Sequence, residues 1–137
     1  MSIRTRNVLF ILLGVAGLVL KGHYSGPYRD SVHSYGGNVA ASFAVYFLAN
    51  FSATNLPFRS AVTRALAVCV ALAVVELFEI FNGFGVMTNT YDPVDFAANA
   101  VGISFALAVD CLTDRANHAR WDKVARPDAA SSKPGAV

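Results

Sequence analysis

Five runs of this chain contain no lysine, arginine, aspartate or glutamate: residues 7–20, 31–58, 65–75, 80–91 and 96–109. No soluble fold needs charge withheld over stretches of that length. A bilayer does, because a charge near its centre costs about 2.5 to 3.5 kcal/mol on insertion scales. Composition agrees: 15% of the 137 residues are charged and 55% are hydrophobic, where an ordinary soluble domain carries about a quarter charged residues. Together these exclude a disordered chain and an ordinary soluble core. The net charge of +2 is too small for a nucleic-acid footprint, so no nucleic-acid partner is expected. Cys69 and Cys111 sit inside apolar runs and read as buried, inert thiols, not as a disulfide framework.

A transmembrane helix takes about 20 mostly apolar residues. Four segments qualify, at about 7–20, 35–52, 61–82 and 94–113. The first is short and is extended if Arg4, Arg6 and Lys21 snorkel toward the interface. It begins like a signal peptide, but no small-x-small cleavage site follows Leu20, so it reads as a retained span. Turn residues separate the segments: Gly22, Gly26 and Pro27, then Asn55 and Pro57, then Gly83, Gly85, Asn89 and Pro93. The expected fold is all-α, an integral membrane bundle of four transmembrane helices over 1–113. Residues 114–137 follow as a basic juxtamembrane segment, with a flexible tail over 127–137.

Lysine and arginine set the orientation. With four spans, Arg4, Arg6, Arg59, Arg64, Arg115, Arg120, Lys123, Arg126 and Lys133 share one side, and only Lys21 and Arg29 lie on the other. Both termini are therefore expected in the cytoplasm of a multi-pass cell-membrane protein. Trp121 and the basic residues Arg115, Arg120, Lys123 and Arg126 would then rest on anionic lipid. Small residues offer packing faces: Gly14 and Gly17, Ala67 and Ala71, and Ala98, Gly102 and Ala106.

Several polar residues interrupt the apolar pattern. Glu76 and Glu79 lie one turn apart on the third span, about 4 to 10 Å from its outer end. Asp95 and Asn99 share a face at the start of the fourth. A short loop joins these two spans, which predicts that they are neighbours and that the four groups approach one another. The first loop adds His23, Arg29, Asp30 and His33 on the same outer side. A polar pocket open to the outside, built from Arg29, His33, Glu76, Glu79, Asp95 and Asn99, satisfies all of them. Simpler roles compete. Asp92, Pro93 and Asp95 fit the N-cap, N1 and N3 positions of a helix. Glu79 is near enough to water to be solvated. Glu76 is the deepest, and is expected to be protonated or paired inside the bundle. Asp110, close to Arg115, reads as an interface charge. Tyr35, Asn38, Ser42 and Tyr46 form a polar stripe on the second span, explained by interhelical hydrogen bonds. His23 and His33 read first as loop residues. The sequon Asn50-Phe51-Ser52 falls at a membrane end expected to be cytoplasmic and is discounted. No zinc-protease, serine-hydrolase or phosphate-loop signature is present.

The run from Glu76 to Gly102 resembles the VanZ-like family of small membrane proteins. Its pattern is a glutamate in one span, then Asp-x-x-Asp-x-x-x-Asn-x-x-Gly opening the next, matched here by Glu76, Asp92, Asp95, Asn99 and Gly102. Asp30, His33 and Tyr35 resemble the family's upstream Asp-x-x-His-x-x-Tyr region, with the spacing changed by one. Glu79 stands where the family has glutamine, and Asn89 where it has arginine. The resemblance implies a four- or five-span envelope protein and brings no reaction with it.

Two functions follow from these residues. The first is a non-catalytic helix bundle that binds another membrane protein, a second copy of itself or an envelope lipid through its helix faces and the outer pocket. The alternative is a membrane-embedded enzyme acting on a lipid-linked or cell-wall substrate, with Glu76 or Glu79 as general base, Asp95 as its partner and His33 as proton donor. Proton or cation movement is a third reading, disfavoured by the wholly apolar stretch 65–75. A metal bound by His33, Glu76, Glu79 and Asp95 is not fixed by their spacing. No metal or cofactor is expected.

Overall fold

The computed structural model describes residues 2–57, 60–81 and 92–125. Four helices account for most of them: α1 (Ile3–Leu20), α2 (Arg29–Ala53), α3 (Ser60–Ile80) and α4 (Pro93–Ala125), with a single 3₁₀ turn, Lys21–His23, after α1. No strand occurs among the described residues. Three helices are long and apolar enough to cross a membrane, within Ile3–His23, Ser60–Ile80 and Pro93–Asn117. The chain divides into two compact units, Met1–Leu107 and Ala108–Val137; the packing described below is that of the first.

The helices extend past the apolar runs that announce them. Ser2 caps α1 by accepting the Thr5 N–H at 3.1 Å, which starts the helix at Ile3, before the charge-free stretch. Asp92 does the same for α4, with Oδ1 accepting the Val94 N–H at 2.9 Å. α2 begins after Tyr28, whose φ of 59° places a non-glycine residue in the left-handed region.

α2 is the central element. It packs on α1 and α3, and its Phe43 ring lies 5.7 Å from that of Phe105 on α4. Tyr46 and Phe47 are wholly buried. Phe10 of α1 stacks at 4.6 Å on Phe47 and meets Phe43 edge-on at 6.2 Å. Small residues let the backbones close on each other. A Cβ at Gly14 would lie 2.8 Å from Ala44 Cβ and 3.0 Å from the Ala40 carbonyl. A Cβ at Gly102 would strike the Ser42 hydroxyl and the Val39 carbonyl of α2. Gly17 is half-buried against Ala40, and Ala98 and Ala106 are buried. On α3 the buried residues are Thr63, Ala67, Ala71 and Val75, one every fourth position, so a single stripe faces inward; Arg64, Leu66, Val68, Leu72, Glu76 and Glu79 are half-buried and the remaining residues exposed.

Three single-residue expectations are corrected. Cys69 is exposed and Cys111 half-buried; a helix with one inward stripe turns its other apolar residues outward, which is where a lipid-facing residue belongs. Arg6 does not snorkel: it is 3% exposed, and its Nε and Nη2 donate to Asn7 Oδ1 at 3.3 and 3.1 Å.

Candidate functional site

At the end of the bundle that holds the α1–α2 connection, the four helices and the 3₁₀ turn after α1 together enclose one cavity of about 350 Å³. Its polar wall residues are Lys21 from the 3₁₀ turn, Asn38 from α2, Glu79 from α3 and Asn99 from α4; the remainder is apolar, with Ala41, Phe78 and Val75 among the lining side chains. A largely apolar recess with a few convergent polar groups is the usual form of a small-molecule site.

Local sequence explains how each polar group arrives. Lys21 follows directly on α1, and Gly37 gives its long side chain a place to lie: a Cβ at Gly37 would collide with the Lys21 ammonium. The ammonium reaches the His33 carbonyl at 3.4 Å, which occupies one of its three N–H groups. Asn38 lies nine residues into α2 and donates from Nδ2 to Asp95 Oδ1 at 2.6 Å. Asp95 is thereby held, 7% exposed, beside the cavity wall. One turn on, Asn99 is 2% exposed, and its Nδ2 has no hydrogen-bond partner among the described residues. Tyr35 donates to Asp92 Oδ2 at 3.1 Å, a second clamp between α2 and the start of α4.

The residues singled out from the sequence are therefore brought together in part. Glu79 and Asn99 share the cavity wall, and Asp95 is tied to it through Asn38. Arg29 is exposed at the first turn of α2. His33 does not line the cavity: its Nε2–H donates to the Tyr24 carbonyl at 3.0 Å, which pins the loop. Glu76 is half-buried outside this wall, with Oε2 enclosed and without a hydrogen-bond partner among the described residues. No group of three or more His, Cys, Asp or Glu among the described residues could hold a metal ion, so His33, Glu76, Glu79 and Asp95 do not gather into a ligand set. Asn89 and Arg126 lie outside the described residues; Arg115, Arg120 and Lys123 are on α4.

Sequence reasoning passed over Lys21 as a snorkelling residue and treated Asn38 as one of a stripe. The signal for both was the Gly36-Gly37-Asn38 run, which leaves α2 without bulk one turn after His33. A second buried polar layer at the opposite end, Arg6, Asn7, Asn50 and Thr63, also went unread.

The fold and the cavity define an all-helical protein with three helices apolar enough to cross a membrane and buried polar groups gathered at both ends, those of the cavity at one of them. No family model matches the chain, and comparison with curated proteins and with solved structures likewise finds no match.

Proposed function

We infer that the chain is a multi-pass cell-membrane protein whose four helices all cross the bilayer. α2 serves as the fourth span despite its polar stripe, because its neighbours shelter it. The distribution of lysine and arginine supports cytoplasmic termini, so the cavity opens to the outside. The resemblance to the VanZ-like family rests on Glu76, Asp92, Asp95, Asn99 and Gly102. Within that frame the protein acts as a non-catalytic bundle that binds a membrane partner or an envelope lipid.

One observation carries this reading: α1 to α4 and the turn after α1 jointly wall a single cavity, at which Lys21, Asn38, Glu79 and Asn99 converge. The competing reading, a membrane enzyme with Glu76 as base, draws on the unpartnered Oε2 of Glu76. Rescue of a deletion strain separates the two. Binding predicts that Glu76→Gln rescues, whereas Ala41→Phe, which fills the cavity, does not rescue although it accumulates normally in the membrane. Catalysis by Glu76 predicts a well-folded but inactive Glu76→Gln.

A further inference from the structure

Val45 and Val74 stand in the wall of the polar cavity and also in the wall of a second one, of about 470 Å³, between α2 and α3. The second space is apolar throughout except for Ser52, whose hydroxyl is committed to the Leu48 carbonyl at 3.0 Å. The two spaces thus adjoin, polar at one end and apolar along the other. From Asn38 to Ala53, the last residue of α2 in the apolar part's wall, the helix rises about 22 Å. That exceeds the roughly 15 Å of hydrocarbon in one leaflet of a 30 Å core.

The polar end needs acceptors. Asn99 Nδ2 is buried without one, and Lys21 uses a single N–H, at 3.4 Å. A ligand that satisfies both brings oxygens with negative charge. Glu79 stands in the same wall and Asp95 beside it, so Lys21 confers no net positive charge there and a small free anion gains little. The apolar groove must supply the remaining affinity, which points to an amphiphile.

We propose that the two cavities are one lipid site: a phospholipid places its phosphate between Lys21 Nζ and Asn99 Nδ2 and lays one acyl chain along α2 and α3, past Val45 and Val74. This rests on reading the protein as a membrane-embedded binding bundle.

The test is native mass spectrometry of the full-length protein in mild detergent, titrated with dioleoyl phosphatidylglycerol. The wild type retains one lipid per chain, and excess inorganic phosphate does not displace it. Lys21→Met weakens retention about tenfold, the loss of one charge-assisted contact, and Lys21→Arg restores it. Ala49→Phe, which blocks the groove far from the head site, weakens the dioleoyl lipid but leaves the dihexanoyl lipid unaffected. Monodisperse elution of each variant guards against misfolding, and the two sites of substitution test head and chain separately. Equal retention by the wild type, Lys21→Met and Ala49→Phe, as for ordinary annular lipid, overturns the proposal, as does displacement by phosphate alone. If retention is indifferent while Ala41→Phe still fails to rescue, the lipid is wrong and the binding reading stands. If Ala41→Phe rescues fully, the binding reading falls first.

Discussion

Asn38 on α2 donates a 2.6 Å hydrogen bond to Asp95 on α4, a residue 57 positions further along the chain. The pair joins two helices that are not consecutive and fixes the wall in which Asn38 and Asn99 stand. Interhelical hydrogen bonds in a bilayer are worth about 0.6 kcal/mol on average and up to about 1.7 kcal/mol. A double-mutant cycle on Asn38→Leu and Asp95→Leu, read by unfolding in detergent, should return a coupling in that range. Asp95→Asn keeps an acceptor oxygen and should lose much less than Asp95→Leu. A coupling indistinguishable from zero would mean that the bond does not hold α2 to α4.

Gly102 lies where α4 closes on the α2 backbone. Even the Cβ of alanine would meet the Val39 carbonyl and lie 3.0 Å from Val39 Cα, and backbone cannot rotate aside as a side chain can. Gly102→Ala should cost about 1 to 3 kcal/mol, the usual range for overpacking. Gly36→Ala is the control: its Cβ would find Val32 Cγ1 at an ordinary 3.5 Å, so the change should be neutral or slightly stabilising, because alanine favours the helix. Thermal unfolding in detergent compares the two. Equal stability would show that the α2–α4 contact is looser than described.

Glu76 makes the opposite prediction. Its Oε2 is enclosed without a partner among the described residues, and an unsatisfied buried polar group destabilises the fold. Glu76→Met should therefore raise stability by about 1 kcal/mol, while Glu76→Gln should change it little. Chemical denaturation of both variants checks this. A marked loss of stability in Glu76→Met would show that the carboxyl has a partner in the membrane.

How far the sequence could be read differs by feature. The mostly apolar segments predict helices at about 7–20, 35–52, 61–82 and 94–113, and helices occur at Ile3–Leu20, Arg29–Ala53, Ser60–Ile80 and Pro93–Ala125. The ends differ because apolar character marks hydrocarbon depth, whereas caps such as Ser2 and Asp92 mark where the hydrogen-bonded ladder begins. The small residues Gly14, Gly17, Ala67, Ala71, Ala98, Gly102 and Ala106 were legible as packing faces, and all but the half-buried Gly17 are buried. Which helix they would surround was not. The short loop before α4 invites an α3–α4 pairing around Glu76 and Asp95, yet Asp95 turns to Asn38 of α2. That choice depends on how closely Gly102 lets α4 approach Val39 and Ser42, a three-dimensional fit that no single-helix periodicity encodes. Lys21 was illegible for the same reason: its resting place is the missing Cβ of Gly37, sixteen residues away.

Topology can be checked without a structure. Reporter fusions after Tyr24 and Gly85 should read as outside, and those after Asn55 and Val137 as inside. An inside reading at Gly85 would place α2 elsewhere than across the membrane and would turn the cavity away from the cell exterior.

The most direct measurement is an experimental density map of the cavity, from crystals grown in native membrane lipid. Elongated density is expected there, with its head between Lys21 and Asn99 and its tail between α2 and α3, running past Val45 and Val74. A metal ion among the carboxylates, a neighbouring subunit's helix seated in the groove, or ordered water alone would contradict it.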